Sequence, residues 1–306
     1  MTSARGLVAA QSARFAALDP LLPPATEPPP DGHVITAALA DGTRVAGVVS
    51  HQHFEPHSTT RLWSAAEVWE ILPLVGTAQG VDALLTRFRR HLDTQEIGDD
   101  TACVVHWPSR DTQAARAFLD HGLVPLSVLA VRLRTPAQHV SRTLTIRRAT
   151  PHDLETVLEL SLAELEYSSY VGSTIVRPNA AIVKRRALVE RLKNASPIWL
   201  AERDGIAVAL AECAIVSSEP GTAAAARLPR GRWGYVNCVS VLPGARGTGI
   251  GQQLLAYAHQ ELHRMGAVGT YLYYNPPNPL SSVFWPRQGY RPLWTVWEVR
   301  PASALR

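Results

Sequence analysis

Between Val241 and Leu255 the chain reads VLPGARGTGIGQQLL, with Gly244, Gly247, Gly249 and Gly251 at every second or third position and Arg246 among them. A β-rich run, WGYVNCVSVL, leads into this stretch. Behind it Ile250, Leu254, Ala258, Leu262 and Met265 recur at helical spacing until Gly266, so the pattern predicts a strand, a glycine turn and a helix with Gly266 as its C-cap. At such a junction the first helical N–H groups have no partner within the helix and the dipole is positive, which suits an anion such as a phosphate. Glycine lets the main chain approach that anion closely because no Cβ intervenes.

Two nucleotide motifs compete for this turn. A P-loop needs GxxxxGK[ST], but Gly244 and Gly249 are followed by Ile250 and Gly251, so the lysine that reaches the phosphates is missing. A dinucleotide fingerprint needs GxGxxG, and from Gly247 or Gly249 the last position falls on Gln252 or Leu254. No carboxylate stands about 20 residues on for the ribose, so only a degenerate form is possible.

The elements that must position the turn repeat along the chain. Asp41-Gly42 and Asp204-Gly205, each inside an apolar run, read as hairpins because Asp-Gly supplies the positive φ of a tight turn. LPLVGTAQGVDALLTRF from Leu72 matches LPGARGTGIGQQLLAYA from Leu242, and AFLDHGLVPLSVLAVR matches VFWPRQGYRPLWTVWEVR with Gly122 against Gly289. The three pairs keep one order at offsets of 163, 170 and 167 positions, which implies an internal duplication. Thr150, Pro151 and Asp153 form a helix start. After it come helices over Thr150–Glu166 and Pro178–Asn194, hairpin strands, the turn and its helix, the strand GTYLYYN, a short helix over Ser281–Arg287 and a last strand. This mixture predicts an α+β fold of two tandem, mixed, mostly antiparallel sheets layered by helices. The expected divisions are an exposed proline-rich lead-in over residues 1–30, a first copy over 31–135, a linker from about Thr135 to Thr143, and a second copy over 144–306.

A chain of 306 residues that is 46% hydrophobic can bury a sizeable core and suggests two domains. It has no apolar run of about 18 residues to span a membrane. Arg5 and Arg14 interrupt the N-terminal stretch where a secretory signal needs an apolar core, so a cytoplasmic protein without a membrane partner is expected. Cys103, Cys213 and Cys238 are too few and too scattered for a disulfide framework, and no CxxC pair offers a zinc site. His51, His53 and His57 read as a solvated loop around Pro56, so no metal is expected. The net charge of +4 rests on arginine, with Lys184 and Lys193 the only lysines, and the basic run VKRRALVERLK lacks interleaved aromatics. It reads as a solvated helix face, and no nucleic-acid partner is expected.

VSVLPGARGTGIGQQLL resembles the acyl-coenzyme A signature of the GNAT N-acyltransferase superfamily, R/Q-x-x-G-x-G/A after a strand ending in a V-x-P-like segment. Here the core is Arg246, Gly247, Thr248, Gly249, Ile250 and Gly251. LTIRRATPHDLETVL is similar to the family's first strand and helix, and NPLSSVFWPRQGY to its late N-x-x-A-x-x-x-Y-x-x-x-G-F segment, so the resemblance covers about Leu144 to Arg300. The two-copy architecture is similar to that of the mycothiol synthases. The resemblance implies that the amides of Gly247 to Gln252 hold the pyrophosphate of acetyl-CoA. The main chain of Val239, Ser240 and Val241 would pair with the pantetheine amides as with an added strand, and Asn278 would lie along that arm. It further implies an N-acetyltransferase whose second copy passes the acetyl group by direct attack to an amine of a small-molecule or peptide acceptor. The first copy offers Gly76, Thr77, Ala78, Gln79, Gly80 and Val81 against the core. Arginine and glycine spacing are lost there, which implies a structural role beside the second copy's groove.

The proton chemistry departs from the family pattern. Four residues before Gly289, where many members carry a tyrosine, stands Trp285, whose indole N–H can donate a hydrogen bond to a developing thiolate but cannot transfer a proton. Tyr274 is the first choice for the acid among Tyr273, Tyr274, Ser281 and Ser282. The strand Trp233–Val241 holds no glutamate or histidine, so the base is sought at Glu212, Glu164 or Glu166. Glu212 is favoured on the expectation that VALAECAIV leaves it half-buried with a raised pKa; the alternative is an outward strand residue paired with an arginine. The missing acid and base also admit a non-catalytic coenzyme A-binding regulatory module. Residues 167–196 are expected to shape the acceptor pocket, and the stretch EYSSYVGSTIVRPN declares no charge preference.

Overall fold

Eleven strands join into one mixed sheet in a computed structural model that describes residues 4–25, 32–135, 144–172 and 174–306. The first half runs α1 (Ala4–Leu18), β1 (His33–Ala38), β2 (Arg44–His53), β3 (Glu67–Leu74), α2 (Gln79–Leu92), β4 (Thr101–Pro108), α3 (Ala115–Asp120) and β5 (Val124–Leu133). The second runs β6 (Thr145–Arg148), α4 (Leu154–Tyr170), α5 (Ala180–Lys193), β7 (Ile198–Arg203), β8 (Ile206–Ser218), β9 (Gly231–Val241), α6 (Ile250–Arg264), β10 (Gly269–Tyr274), α7 (Ser281–Arg287) and β11 (Arg291–Val299). From β1 to β5 and from β7 to β11 the two halves repeat the same order, as the duplication requires.

Across the sheet the order is β1-β2-β3-β4-β11-β5-β10-β9-β8-β7-β6. The final strands are exchanged: β11 pairs with β4, β5 pairs with β10, and β5 and β11 pair antiparallel at the centre. The two sheets expected from the sequence are therefore one. Exchange gives each copy's last strand a partner on both sides, which leaves no free edge at the centre of the sheet. Parallel contacts occur at β3–β4 and β9–β10, the pairs that α2 and α6 connect, and the other pairings are antiparallel.

Local signals read in the sequence are realised. Asp204 and Gly205 both take left-handed φ, +54° and +76°, as an Asp-Gly hairpin turn demands. Gly266 ends α6 at φ +90°, and Asp153 accepts a hydrogen bond from the Thr150 amide at 2.8 Å at the α4 start. The amphipathic α2 buries Val81, Leu84, Leu85, Phe88 and Leu92, and α6 buries Ile250, Leu254, Leu255, Ala258 and Leu262. Each fully buried leucine contributes about 1.5–3 kcal/mol.

The opening segment departs from the exposed lead-in expected over residues 1–30. Its described part is helical to Leu18, and Gln11, Phe15, Asp19 and Leu22 are all buried. Phe15 meets Trp107 and Trp294 edge-on, burial that an alanine-rich helix without an apolar stripe does not announce. Residues 26–31 and the expected linker over 136–143 lie outside the described residues. Among the described residues no helix is long and apolar enough to cross a membrane.

Candidate active site

β9 and β10 pair only at Trp233–Tyr235 with Gly269–Tyr271 and then diverge. Beyond that point β9 stays paired with β8, Cys238 to Val241 against Glu212 to Ala209, after a register shift that sets Asn237 out as a bulge. The other edge of Val236–Val241 is left to a cavity of about 500 Å³. Its lining includes Glu164 and Tyr167 of α4, the turn and α6 start from Ala245 to Gln252 apart from Thr248, and Tyr274, Asn278 and Trp285.

The structure thus brings Val239, Ser240, Val241, Arg246, Gly247, Gly249, Ile250, Gly251, Gln252 and Asn278 to one cavity. Thr248 does not line it. Its hydroxyl donates to Ala245 O at 2.7 Å and accepts from Arg203 at 3.0 Å, so it holds the turn closed. Gly247 and Gly249 sit at φ +76° and +82°, and a Cβ on either would meet no protein atom within 4 Å. The turn therefore needs glycine for its backbone shape, and it opens onto free space at the head of α6, where a bound anion would be placed. Arg246 braces the turn rather than reaching freely: Nε donates to Val241 O at 3.0 Å, and the guanidinium lies 5.4 Å from the Tyr167 ring centroid. Asn278 Oδ1 accepts from the Leu280 and Ser281 amides at 2.9 and 3.1 Å, which fixes the loop that leads into α7.

Of the two aromatics singled out in the sequence, Trp285 is buried between Phe284 and Tyr290, with edge contacts of 5.0 and 5.4 Å. Tyr274 is partly exposed, and burial pushes its phenol above the ordinary range, so it stays protonated at neutral pH.

The carboxylates separate clearly. Glu212 is fully buried and does not line the cavity; Lys184 Nζ donates to it at 2.9 Å and Arg191 closes on its other oxygen. Burial alone would raise its pKa, but the charges of Lys184 and Arg191 outweigh that and hold it below the ordinary value. The expected half-buried base with a raised pKa is thus corrected to a committed ion-pair partner. Glu166 is exposed and accepts from Tyr170 at 2.8 Å. Glu164 alone of the three lines the cavity, with Ser168 Oγ donating to it at 2.7 Å. Burial pushes its carboxyl up despite the Ser168 hydrogen bond and the Lys184 charge, and the Glu212 charge pushes the same way. The sequence reading leaves Glu164 and Glu166 open; helical spacing is the signal that separates them, because Leu160, Ser161, Leu165 and Ser168 form the buried face of α4 around Glu164.

A second cleft, of about 1270 Å³, runs along α6 and shares Gln252 and Arg287 with the first. Arg132, Arg134, Arg264, Arg287 and Arg291 line it, with no carboxylate among its lining residues. Sequence reading missed it because Arg264, Arg287 and Arg291 come from α6, α7 and β11, and the exchange of the last strands adds Arg132 of β5 and Arg134 just beyond it.

The family model described as the acetyltransferase (GNAT) domain matches residues 194–292, from β7 to the start of β11. Two solved structures are similar over most of the chain. A GCN5-related N-acetyltransferase from Sphaerobacter thermophilus is 16% identical with a TM-score of 0.52, over 89% of this chain and 82% of its own. An acetyltransferase from the GNAT family from Colwellia psychrerythraea is 11% identical with a TM-score of 0.54, over 98% and 97%. At such identities the likeness is one of fold. No curated protein matches the chain.

Proposed function

Residues 194–292 match the acetyltransferase (GNAT) domain, and on that premise we propose that the second copy transfers the acetyl group of acetyl-CoA to an amine of a small-molecule or peptide acceptor. One observation carries the reading: the unpaired β9 edge, the left-handed glycine turn and the single carboxylate Glu164 share one cavity. Acetyl-CoA supplies an activated thioester. The β9 edge offers main-chain partners to amides laid along it, as an added strand would, and the turn amides at the head of α6 suit a pyrophosphate. The arginine cleft that joins at Arg287 suits the phosphorylated nucleoside end. The domain roles follow: residues 144–306 are the working copy and 31–135 the scaffold. Three free, buried cysteines and a coenzyme A donor suit a cytoplasmic setting.

Glu164 takes a proton from the acceptor ammonium, directly or through a water, and the freed amine attacks the thioester carbon. Amides of the β9 edge donate to the oxyanion that forms. As the carbon–sulfur bond breaks, Tyr274 donates its phenolic proton to the departing sulfur, the nitrogen of the new amide returns its second proton through water to the tyrosinate, and Trp285 walls the same end of the cavity. No covalent enzyme intermediate arises; positioning and deprotonation carry the rate.

Thiol release from acetyl-CoA with a panel of primary amines tests the assignment: turnover on at least one amine is expected. Coenzyme binding without turnover on any amine would instead establish a regulatory module. Two substitutions test the placement of the coenzyme. Gly249→Ala forces a side chain into left-handed φ at a cost of about 1–2 kcal/mol, and is expected to weaken coenzyme A binding in a calorimetric titration with little change in fold. Arg287→Ala is expected to weaken coenzyme A by about fivefold, the scale of one partly exposed charge pair, yet leave dephospho-coenzyme A nearly unaffected. Equal losses for both ligands would remove the arginine cleft from the site.

A further inference from the structure

In the first copy, four positions that answer residues lining the second-copy cavity meet the chain's own first helix. By the offsets of the duplication, Val75 and Gly76 answer Ala245 and Arg246, and Trp107 and Asp111 answer Tyr274 and Asn278. The four second-copy residues all line the 500 Å³ cavity. Their four counterparts are all held by α1. The Gln11 carboxamide donates to Pro73 O at 2.6 Å and accepts from the Val75 amide at 2.7 Å. The Ala10 methyl lies 3.7 Å from where a Cβ on Gly76 would stand. Phe15 packs edge-on against Trp107 at 5.9 Å, and Arg14 pairs with Asp111 at 2.6 Å.

The contrast with the second copy is chemical as well as positional. There the corresponding main-chain groups bond within their own turn, Ala245 N to Leu242 O at 2.9 Å and Arg246 N to Pro243 O at 3.2 Å. In the first copy a side-chain amide supplies both a donor and an acceptor to groups two residues apart on one strand end. An extended amide-bearing ligand satisfies a strand edge in the same way. Gln11 and Asp111 are buried, so undocking the helix would leave several polar groups without partners. Asp19, paired with Arg291 at 2.5 Å, fixes the far end of the helix.

We propose that α1 is a tethered occupant of the first copy's coenzyme cleft, an internal pseudo-ligand that closes this copy and leaves the chain one coenzyme site in place of two. The proposal rests on reading the second-copy cavity as the coenzyme site.

Hydrogen exchange read by mass spectrometry on the full chain, with and without coenzyme A, tests it. In the wild type, coenzyme A is expected to protect residues 239–252, to leave 70–82 unchanged and to bind at one equivalent. Gln11→Ala with Arg14→Ala keeps Phe15 and the working copy intact, and is expected to speed exchange over 70–82 by about tenfold, the scale of one to two lost buried hydrogen bonds. Turnover and protection at 239–252 should persist. Arg14→Ala alone, which removes only the pair with Asp111, is expected to give a smaller rise of about threefold. Two bound equivalents, coenzyme protection of 70–82, or unchanged exchange there in the double variant would overturn the proposal. Absence of coenzyme protection at 239–252 would overturn the reading of the second copy itself, a result distinct from any change at 70–82.

Discussion

Glu164→Gln is expected to lower kcat by about 10²- to 10⁴-fold, the range ascribed to a lost general base, with the KM for acetyl-CoA shifting far less. Glutamine keeps the shape and still accepts from Ser168 Oγ, so what it removes is the capacity to take a proton. The pH profile gives a second reading. Because burial raises the Glu164 carboxyl, the acid limb of the wild-type rate should sit above the ordinary glutamate value of about 4.3. Activity rises as pH climbs through the folded pKa, and the glutamine variant should lack that limb. Stability runs in the other direction. A carboxyl whose pKa is raised on folding favours the fold when protonated, and this contribution fades as pH rises through the folded pKa. Glu164→Gln should therefore be neutral or mildly stabilising at pH 7, which separates a catalytic loss from a folding defect. A variant within about threefold of wild-type kcat, far below the span of general-base effects, would exclude Glu164 as the base.

How much of this was legible in the sequence differs between the turn and the carboxylates. The glycine turn is a local feature: left-handed φ at Gly247 and Gly249 and the helix behind them follow from neighbours in the chain. The duplication is likewise written in the order of motifs, and it survives in the repeat of β1–β5 by β7–β11. The exchange of β5 and β11 is not, because pairing partners more than a hundred residues apart are chosen by which edges remain unpaired after the hairpins form. Glu212 was misjudged for a related reason. Its own strand predicts burial, but its pKa is set by Lys184 and Arg191, which arrive from α5 and were read as part of a solvated basic face. Lys184 points inward from that helix and is buried, so the basic run is solvated on one side and structural on the other. The N-terminal helix shows the same limit, since Gln11 and Arg14 carry no signal until Pro73, Val75 and Asp111 are placed against them.

Glu212→Gln is expected to cost about 3–5 kcal/mol of stability, the usual scale for breaking a buried ion pair from one side. The loss arises less from the missing contact than from the two cations left behind: Lys184 stays buried without its carboxylate, and Arg191 keeps only the Cys213 carbonyl. Replacing Glu212 by Leu together with Lys184 by Met should recover part of the loss, since an apolar pair of similar volume needs no desolvation of charge. The sign of the pH dependence follows from both partners. Glu212 is held below its ordinary value, so its contribution is full above the unfolded pKa of about 4.3 and is lost as pH falls through the folded one. Lys184 is held above its ordinary value: burial is the largest single influence and lowers it, but the Glu212 charge and hydrogen bond together with the other negative groups around it outweigh burial. Its contribution is full below about 10.4 and is lost as pH rises through the folded pKa. Urea unfolding of the wild type should therefore show a plateau between these limits that Glu212→Gln flattens and lowers. At temperatures where the variant stays folded, its kcat should remain near wild type, because the proton acceptor is Glu164. A Glu212→Gln protein that is as stable as wild type yet inactive would reverse the two roles, making Glu212 the base and Glu164 its buried neighbour.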